Sequence, residues 1–334
     1  MDSICICGGG SLGHVCAGVF ASQGHSVNIL SGHPAKWEKT IEVIDNDGKI
    51  YTAHLHRVSS LPEDVIPISN IVLLCVPGYL IEKTLRQIKP FLMEDTIVGS
   101  IVSSTGFFFK AHEILSPSTT IFGFQRVPFI ARVNEYGKSA SLLGYKPSVN
   151  IAVENAQDAA SLRERLEKLF MTPVRLLNNF YEASLTNSNP ILHTGRLYSM
   201  WGKTPVTPVE EPILFYAQWT DDASRTLIDM DNEFMALLSA LHIPEGVIPS
   251  LLDYYESKDA SSLTAKIRSI EAFKTIKSPM IHTPEGWLPD FNSRYFTEDF
   301  PFGLKIIRDL CKKHNIDTPT IDKVYQWGMS RLSE

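Results

Sequence analysis

A histidine and an aspartate in the second half of the chain have the side chains that proton transfer requires. His193 ends the segment 189–193, and Asp299 lies in the segment 294–301. Histidine exchanges protons near neutral pH, as the reduction of a carbonyl or an imine requires. A carboxylate that touches a histidine orients it and fixes its tautomer. The functional interpretation is a proton-transfer pair.

The same segments also have a purely structural interpretation. Asn189 is followed by proline, which is the ordinary start of a helix with Asn189 as N-cap. Glu298 and Asp299 suit the beginning of a further helix near 302. Arg294 is either a surface charge or a planar fork that binds a substrate carboxylate. The residue types alone leave these alternatives open.

The N-terminal residues predict the fold that would supply a redox cofactor to such chemistry. A strand, a glycine turn, a helix and a second strand follow one another, at 4–7, 8–13, 14–22 and 25–30. This order at the start of a chain is typical of a dinucleotide-binding βαβ unit. An incidental glycine turn is the alternative, and the flanking strand and helix favour the dinucleotide.

Each glycine of this turn has its own physical reason. Gly8 permits the tight turn, Gly10 lets the backbone approach a pyrophosphate, and Gly13 allows the helix to pack closely on the strand. Ser11 and Leu12 lie in the turn directly before the predicted helix, whose free N–H groups and dipole favour phosphate at its start. We therefore expect all five residues to contact the cofactor.

The pattern of strands and helices divides the chain into two domains. Strands and helices alternate over 1–180, which predicts an α/β Rossmann-type doubly wound sheet. From 181 strand signals are few and helical periodicity dominates, so an all-α C-terminal domain is expected over 181–334. The strand at 70–76 ends at Val76 and Pro77, which belong to the ligand-binding edge of the predicted sheet.

The end of the second strand bears on the choice of dinucleotide. NAD enzymes usually carry Asp or Glu there to hold the ribose 2′-hydroxyl. This chain instead has Ser31, His33 and Lys36. A hydroxyl and two side chains that can supply positive charge suit a 2′-phosphate. NADP is therefore the preferred cofactor, and NAD is the alternative.

Composition narrows the class of protein and its partners. The net charge is −6 without a block of like charges, which argues against a nucleic-acid or anionic-membrane partner. The five cysteines are an odd number and lie mostly in apolar segments, which favours reduced thiols and a cytoplasmic location. No ligand spacing for a metal site is present. The sequence shows no pattern typical of a subunit interface, so it does not predict an oligomeric state, and a homodimer is one of the alternatives.

These segments together resemble the octopine/nopaline (opine) dehydrogenase family. The resemblance runs along most of the chain and includes the glycine turn and the segments 72–77, 126–132, 189–193 and 294–304. The Asn-Pro-x-x-His and Arg-Tyr-x-Thr-Glu-Asp patterns are much more specific than the glycines. Family members join a Rossmann domain to a helical domain of the 6-phosphogluconate dehydrogenase C-terminal type.

The resemblance implies an activity and a role for each matched residue. Family members reductively join the amine of an amino acid to a 2-oxo acid such as pyruvate, so the implied partners are small molecules. His193 is implied as catalytic acid/base, Asp299 as its partner, Arg294 as substrate-carboxylate anchor and Asn189 as a polar contact. The segment at Ser31 gives no clear cofactor choice within the family.

Two other functions remain as alternatives. A reductase of the ketopantoate type would act on a 2-oxo or 3-hydroxy acid without an amine substrate. A non-catalytic dinucleotide sensor would keep the glycine turn, while His193 and Asp299 would only begin helices. Oxidation of the cofactor that requires an amine would argue against the first alternative. Side chains of His193 and Asp299 that lie far apart would favour the second.

Overall fold

The chain divides into two compact units in a computed structural model that describes residues 1–203 and 205–332. The first unit ends at Thr186, and the second begins at Asn187. The sequence placed the division at 180, but a helix at Phe180–Leu185 packs with the first unit. Thr204 and the final residues 333 and 334 of the predicted second domain lie outside the described residues.

The first unit contains strands and helices that alternate along most of its length. Its strands are β1 Ser3–Cys7, β2 Ser26–Leu30, β3 Thr40–Asp45, β4 Ile50–His54, β5 Arg57–Ser59, β6 Ile71–Leu74, β7 Ile97–Ser100, β8 Ile121–Phe124, β9 Phe129–Glu135, β10 Ser139–Tyr145, β11 Val149–Glu154 and β12 Val174–Leu176. Its helices are α1 Ser11–Ser22, α2 Pro62–Val65, α3 Gly78–Ile88, α4 Phe107–Ile114, α5 Ala159–Phe170 and α6 Phe180–Leu185.

Eight of these strands form the sheet that positions the glycine turn. Their order is β12-β11-β8-β7-β6-β1-β2-β5, and β8 and β11 make the antiparallel pair of an otherwise parallel sheet. Strand β1 has β2 as its neighbour on one side and β6, which the chain reaches after β5, on the other, so the strand order reverses at β1. The glycine turn therefore follows β1 at the point where a doubly wound sheet binds ligands. The predicted fold of this unit is confirmed.

A second, four-stranded sheet has the order β4-β3-β10-β9. The segments 40–44 and 49–58, with Asp47-Gly48 as the turn between them, predict its first hairpin. The hairpin forms, although 57–59 instead forms β5 and joins the large sheet. Strands β9 and β10 were not predicted, and β10 pairs with β3 across a long stretch of chain. Helix α1 packs against this sheet so closely that a Cβ on Gly18 would lie 2.3 Å from Val43 Cγ2. Burial against both sheets explains the apolar sequence of α1.

The second unit is helical, as predicted. Its helices are α7 Asn189–Trp201, α8 Asp221–Ala240, α9 Leu251–Tyr254, α10 Ala260–Ser269, α11 Arg294–Thr297, α12 Lys305–Lys313 and α13 Pro319–Leu332. A short hairpin, β13 Met280–Thr283 and β14 Gly286–Pro289, is added to them. The hairpin lacks the alternation of buried and exposed side chains by which a strand is predicted. Within the described ranges, no helix has the length and hydropathy that crossing a membrane requires.

Candidate active site

Helix α7 places Asn189 and His193 on the same face, because they are four residues apart. The helix begins one residue earlier than predicted, with Ser188 rather than Asn189 as N-cap. The amide N–H of Asn189 donates to the side chain of Asn187 over 3.2 Å. The side chain of Asn189 is left exposed at the start of the helix, one turn before His193.

The structure brings His193 and Asp299 into direct contact. The Nδ1 atom of His193 lies 2.8 Å from Oδ2 of Asp299, and the two side chains are only 12% and 21% exposed. An ionised carboxylate only accepts hydrogen bonds, so Nδ1 carries the proton and donates it. The Nε2 atom therefore keeps its lone pair in the neutral ring. This arrangement is a histidine–carboxylate dyad suited to acid–base chemistry.

A close approach of two chain segments fixes the dyad. Asp299 directly precedes a π-helical turn at Phe300–Leu304 that leads into α12. A Cβ added to Gly303 in this turn would lie 2.7 Å from Cγ of Pro190, at the start of α7. The glycine thus permits the turn to dock beside the helix that carries His193. This contact explains why residues of both segments, far apart in sequence, form one site.

A third side chain, Tyr216, completes the hydrogen bonds of the histidine ring. Its hydroxyl lies 3.1 Å from Nε2 of His193 and donates to the lone pair there. Burial raises the pKa of Tyr216, and Tyr295, Tyr255 and Asp299 add to this effect, so the phenol is neutral. In the sequence, Tyr216 is one of several aromatic residues of the second domain, with Trp219, Tyr254 and Tyr255, and helix packing explains them as well as a substrate site does.

Aromatic rings enclose the dyad on two further sides. The ring of Tyr295 lies 4.6 Å from that of His193, and Phe215 meets it edge-on at 5.7 Å. Burial raises the pKa of Tyr295 as well, so its hydroxyl is also neutral. Rings of this kind exclude water, and exclusion of water strengthens the hydrogen bond between His193 and Asp299.

Arg294 is placed differently from the dyad. Its side chain is 83% exposed, and its Nε atom lies 3.5 Å from Oε1 of Glu298. Glu298 is only 14% exposed, but one contact at this distance to so exposed a guanidinium contributes little and does not fix the arginine side chain. It lies on the short helix α11, directly before Tyr295 and a few residues before Asp299. The guanidinium is therefore free to turn toward an incoming carboxylate.

The glycine turn of the first unit has the shape that a dinucleotide requires. Gly8 has φ +117°, and a Cβ there would lie 2.6 Å from the Cys75 carbonyl oxygen. A Cβ on Gly13 would lie 2.2 Å from the Gly8 carbonyl oxygen, whereas one on Gly10 would meet nothing within 4 Å. Helix α1 begins directly after Gly10 without a side-chain cap, which leaves its first N–H groups for a phosphate.

Two family models match this chain, one mainly in each structural unit. Residues 176–332 match the family model described as "NAD/NADP octopine/nopaline dehydrogenase, alpha-helical domain". Residues 4–137 match the model described as "Ketopantoate reductase PanE/ApbA". The match to the octopine/nopaline model contains both residues of the dyad. The chain belongs to the opine dehydrogenase family.

Relatives within this family align over almost the whole chain. Tauropine dehydrogenase of Arabella iricolor is 27% identical over 366 aligned positions, covering 100% of this chain and 92% of the relative. Octopine dehydrogenase of Pecten maximus is 26% identical, with 99% and 90% covered. A solved octopine dehydrogenase, with NADH and L-arginine, has a TM-score of 0.88 at 24% identity and covers 100% and 90%. The last comparison confirms the fold.

In this opine dehydrogenase family member, Ser31 is occupied by internal contacts. Its hydroxyl oxygen accepts the N–H groups of His33 over 3.2 Å and of the Trp37 indole over 3.3 Å. It also lies 3.0 Å from the hydroxyl of Tyr136. Tyr136 lies in the turn between β9 and β10, so the Ser31 hydroxyl is used in contacts within the protein, while His33 and Lys36 remain exposed. No carboxylate takes the usual place at the end of β2.

His14 supports the glycine turn from inside α1, a role that the sequence did not reveal. Its Nδ1 lies 3.0 Å from the Gly10 carbonyl oxygen, and its Nε2 accepts the N–H of Gly137 over 2.7 Å. Burial lowers the pKa of His14, so the ring is neutral.

The predicted cofactor residues Val76 and Pro77 lie next to the turn. A Cβ on Gly8 would approach Cγ1 of Val76 to 3.0 Å, and Pro77 is the N-cap of α3.

Two glycine substitutions separate cofactor binding from folding. Gly10→Ala adds its methyl group to open space, so we expect an unchanged melting temperature and a cofactor Kd raised about tenfold or more by the obstructed phosphate approach. Gly13→Ala forces its methyl group against the Gly8 carbonyl, so we expect a melting temperature lowered by several degrees. Cofactor titration and thermal unfolding measure both. Unchanged cofactor affinity in Gly10→Ala would contradict this role for the turn.

Proposed function

We propose that the protein is a nicotinamide-dependent opine dehydrogenase that joins the amine of an amino acid to a 2-oxo acid such as pyruvate. The contact of 2.8 Å between His193 and Asp299 is the observation that carries the proposal. It supplies a partly buried acid–base group in a chain whose family acts on bonds between carbon and nitrogen. The substrates are small molecules.

His193 moves the protons of the condensation, and Asp299 orients its ring. The amine adds to the 2-oxo carbon, and the carbinolamine loses its oxygen as water when His193 provides the proton. The resulting imine carbon accepts a hydride, which is what the bound nicotinamide supplies. The products are a secondary-amine dicarboxylate and the oxidised cofactor. Asp299 stabilises the imidazolium whenever His193 holds the second proton.

Arg294 and Asn189 are the proposed substrate contacts. The guanidinium of Arg294 has the planar fork that binds a carboxylate through two hydrogen bonds, and both substrates carry a carboxylate. Its high exposure leaves it available for that role. The exposed amide of Asn189, on the same face of α7 as His193, offers a donor and an acceptor to the second substrate.

The residues after β2 support a preference for NADPH over NADH. The hydroxyl of Ser31 is used internally, so His33 and Lys36 are the groups that would face a 2′-phosphate. We expect kcat/KM to be higher with NADPH than with NADH when the two are compared in one assay. A strong preference for NADH would contradict the assignment of His33 and Lys36 and would leave the reaction itself intact.

An assay with and without an amino acid tests the reaction. We expect NADPH oxidation in the presence of pyruvate only when a suitable member of an amino-acid panel is added. A ketopantoate-type reductase, to which the match over 4–137 points for the first unit, would oxidise the cofactor without any amine. A sensor would bind the cofactor and oxidise none under either condition. Either result would contradict the proposed function.

Two expectations from the sequence concern the state of the protein rather than its chemistry. A cytoplasmic location and assembly into a homodimer both stay predictions. Cell fractionation measures the first, and light scattering of the purified protein measures the second. The reaction proposed above depends on neither outcome.

A further inference from the structure

Tyr216 is held in place by a buried arginine that has no carboxylate partner among its described contacts. The Nε of Arg196 donates to the Phe215 carbonyl over 3.0 Å, and its Nη2 donates to the Gln218 carbonyl over 2.7 Å. These two carbonyls flank Tyr216, whose hydroxyl faces His193. A guanidinium that is hydrogen-bonded to the backbone before and after a residue restricts the orientation of that residue.

The loop that carries Tyr216 receives a second arginine. Arg268 donates from Nε to the carbonyl oxygen of Trp219 over 2.7 Å. Burial lowers the pKa of Arg196 to about 10, and the positive charge of Arg268 adds to this effect. Arg196 is thus still protonated at neutral pH. Burying a cation costs free energy unless it is well hydrogen-bonded, and here the hydrogen bonds go to this one loop.

Ring stacking fixes the remaining freedom of Tyr216. Its ring stacks on that of Phe273 at 4.3 Å with an angle of 23°, and it lies parallel to Trp219 at 6.1 Å. The Tyr216 side chain is 5% exposed. The stacked rings and the hydrogen-bonded loop therefore hold the Tyr216 hydroxyl against Nε2 of His193. This fixed geometry distinguishes the contact from a chance contact at the surface.

We propose that Tyr216 is a positioning residue for the proposed reaction, acting through His193. Asp299 accepts from Nδ1 and Tyr216 donates to Nε2, so the two together fix both the orientation and the tautomer of the ring. The bond from Tyr216 requires the neutral imidazole, because an imidazolium has no lone pair at Nε2. Tyr216 therefore opposes protonation of His193 while Asp299 favours it. This inference rests on the proposed function for its kinetic consequences only.

The substitution Tyr216→Phe tests the proposal, since it keeps the stacked ring and removes the hydroxyl. We expect kcat to fall about tenfold while the cofactor KM is unchanged, the loss being equivalent to one hydrogen bond. We also expect the limb of the pH profile that reports His193 to move upward by about half a unit to one unit, because the group that opposes protonation is gone.

Tyr198→Phe is the matched control. Tyr198 is also buried and lies on α7, but its hydroxyl makes no described contact with His193, and its ring contacts that of Trp327 instead. We expect this variant to keep the wild-type pH profile. A Tyr216→Phe enzyme that is faster than wild type would identify Tyr216 as an obstruction, and one with an unshifted profile would identify a merely structural residue. Both outcomes would overturn the proposal.

Nitrogen NMR of the histidine ring tests the same contact without any turnover. With His193 assigned by comparison with His193→Gln, we expect a protonated Nδ1 and a hydrogen-bonded Nε2 lone pair in the wild type. Tyr216→Phe is expected to move the Nε2 signal toward that of an unbonded lone pair, and Tyr198→Phe is not. An unmoved signal in folded Tyr216→Phe would overturn the inference even if the proposed activity is present, and a moved signal would support it even if that activity is absent.

Discussion

Replacing His193 with alanine is expected to lower kcat by about 10²–10⁴-fold. The ring is the group of the dyad that exchanges protons with substrate, and its partner Asp299 is acceptor-only when ionised. Cofactor affinity should persist, because the glycine turn belongs to the other folded unit. Steady-state kinetics and a cofactor titration on the same preparation measure both quantities.

The chain offers a matched control for this substitution. His282 is an exposed histidine on β13, and His282→Ala should retain wild-type turnover. A folded His193→Ala enzyme with wild-type kcat would remove His193 from the mechanism. Loss of cofactor binding together with turnover would instead indicate general damage to the protein, so thermal unfolding of both variants belongs with the kinetics.

Asp299→Asn is expected to lower kcat by a similar factor, on the order of 10²–10⁴-fold. Asparagine has nearly the same shape, yet its amide group can present a donor to Nδ1 and so favour the wrong tautomer of His193. The carboxylate charge that stabilises the imidazolium is also lost. The KM values for substrates and cofactor are expected to change much less than kcat, which steady-state kinetics separates.

Glu285→Gln provides the control for the loss of one negative charge. Glu285 is an exposed carboxylate in the turn between β13 and β14, and its neutralisation should leave kcat unchanged. If Asp299→Asn were as active as this control, the hydrogen bond to Nδ1 would have no part in catalysis. If it lost activity only through a raised substrate KM, Asp299 would be assigned to substrate binding instead.

The first unit could be predicted from the sequence because its signals are local. The glycine turn, the apolar strands and the alternation of elements each lie within short windows, and the sheet order confirms them. Strands β9 and β10 were missed, since β10 pairs with β3 from almost a hundred residues away. The support that His14 gives to the turn was hidden for the same reason, because its partner Gly137 is distant in sequence.

At the candidate site, the sequence identified the residue types but not the contacts between their side chains. The segments that carry His193 and Asp299 stood out through their specific patterns, but spacing could not establish that these side chains touch. That contact depends on Gly303 docking against Pro190, which no local pattern shows. Tyr216 gave no signal beyond an aromatic cluster, because its importance comes from one hydrogen bond and from the arginine that holds its loop.

The most direct measurement of the central claim follows the hydride and the nitrogen in one experiment. The protein is incubated with pyruvate, an amino acid that supports turnover, and NADPH or NADH deuterated at the transferred position, and the products are analysed by mass spectrometry. We predict a secondary-amine dicarboxylate that carries one deuterium on the carbon that was the 2-oxo carbon. Deuterated lactate, formed at the same rate with or without the amino acid, would contradict the account.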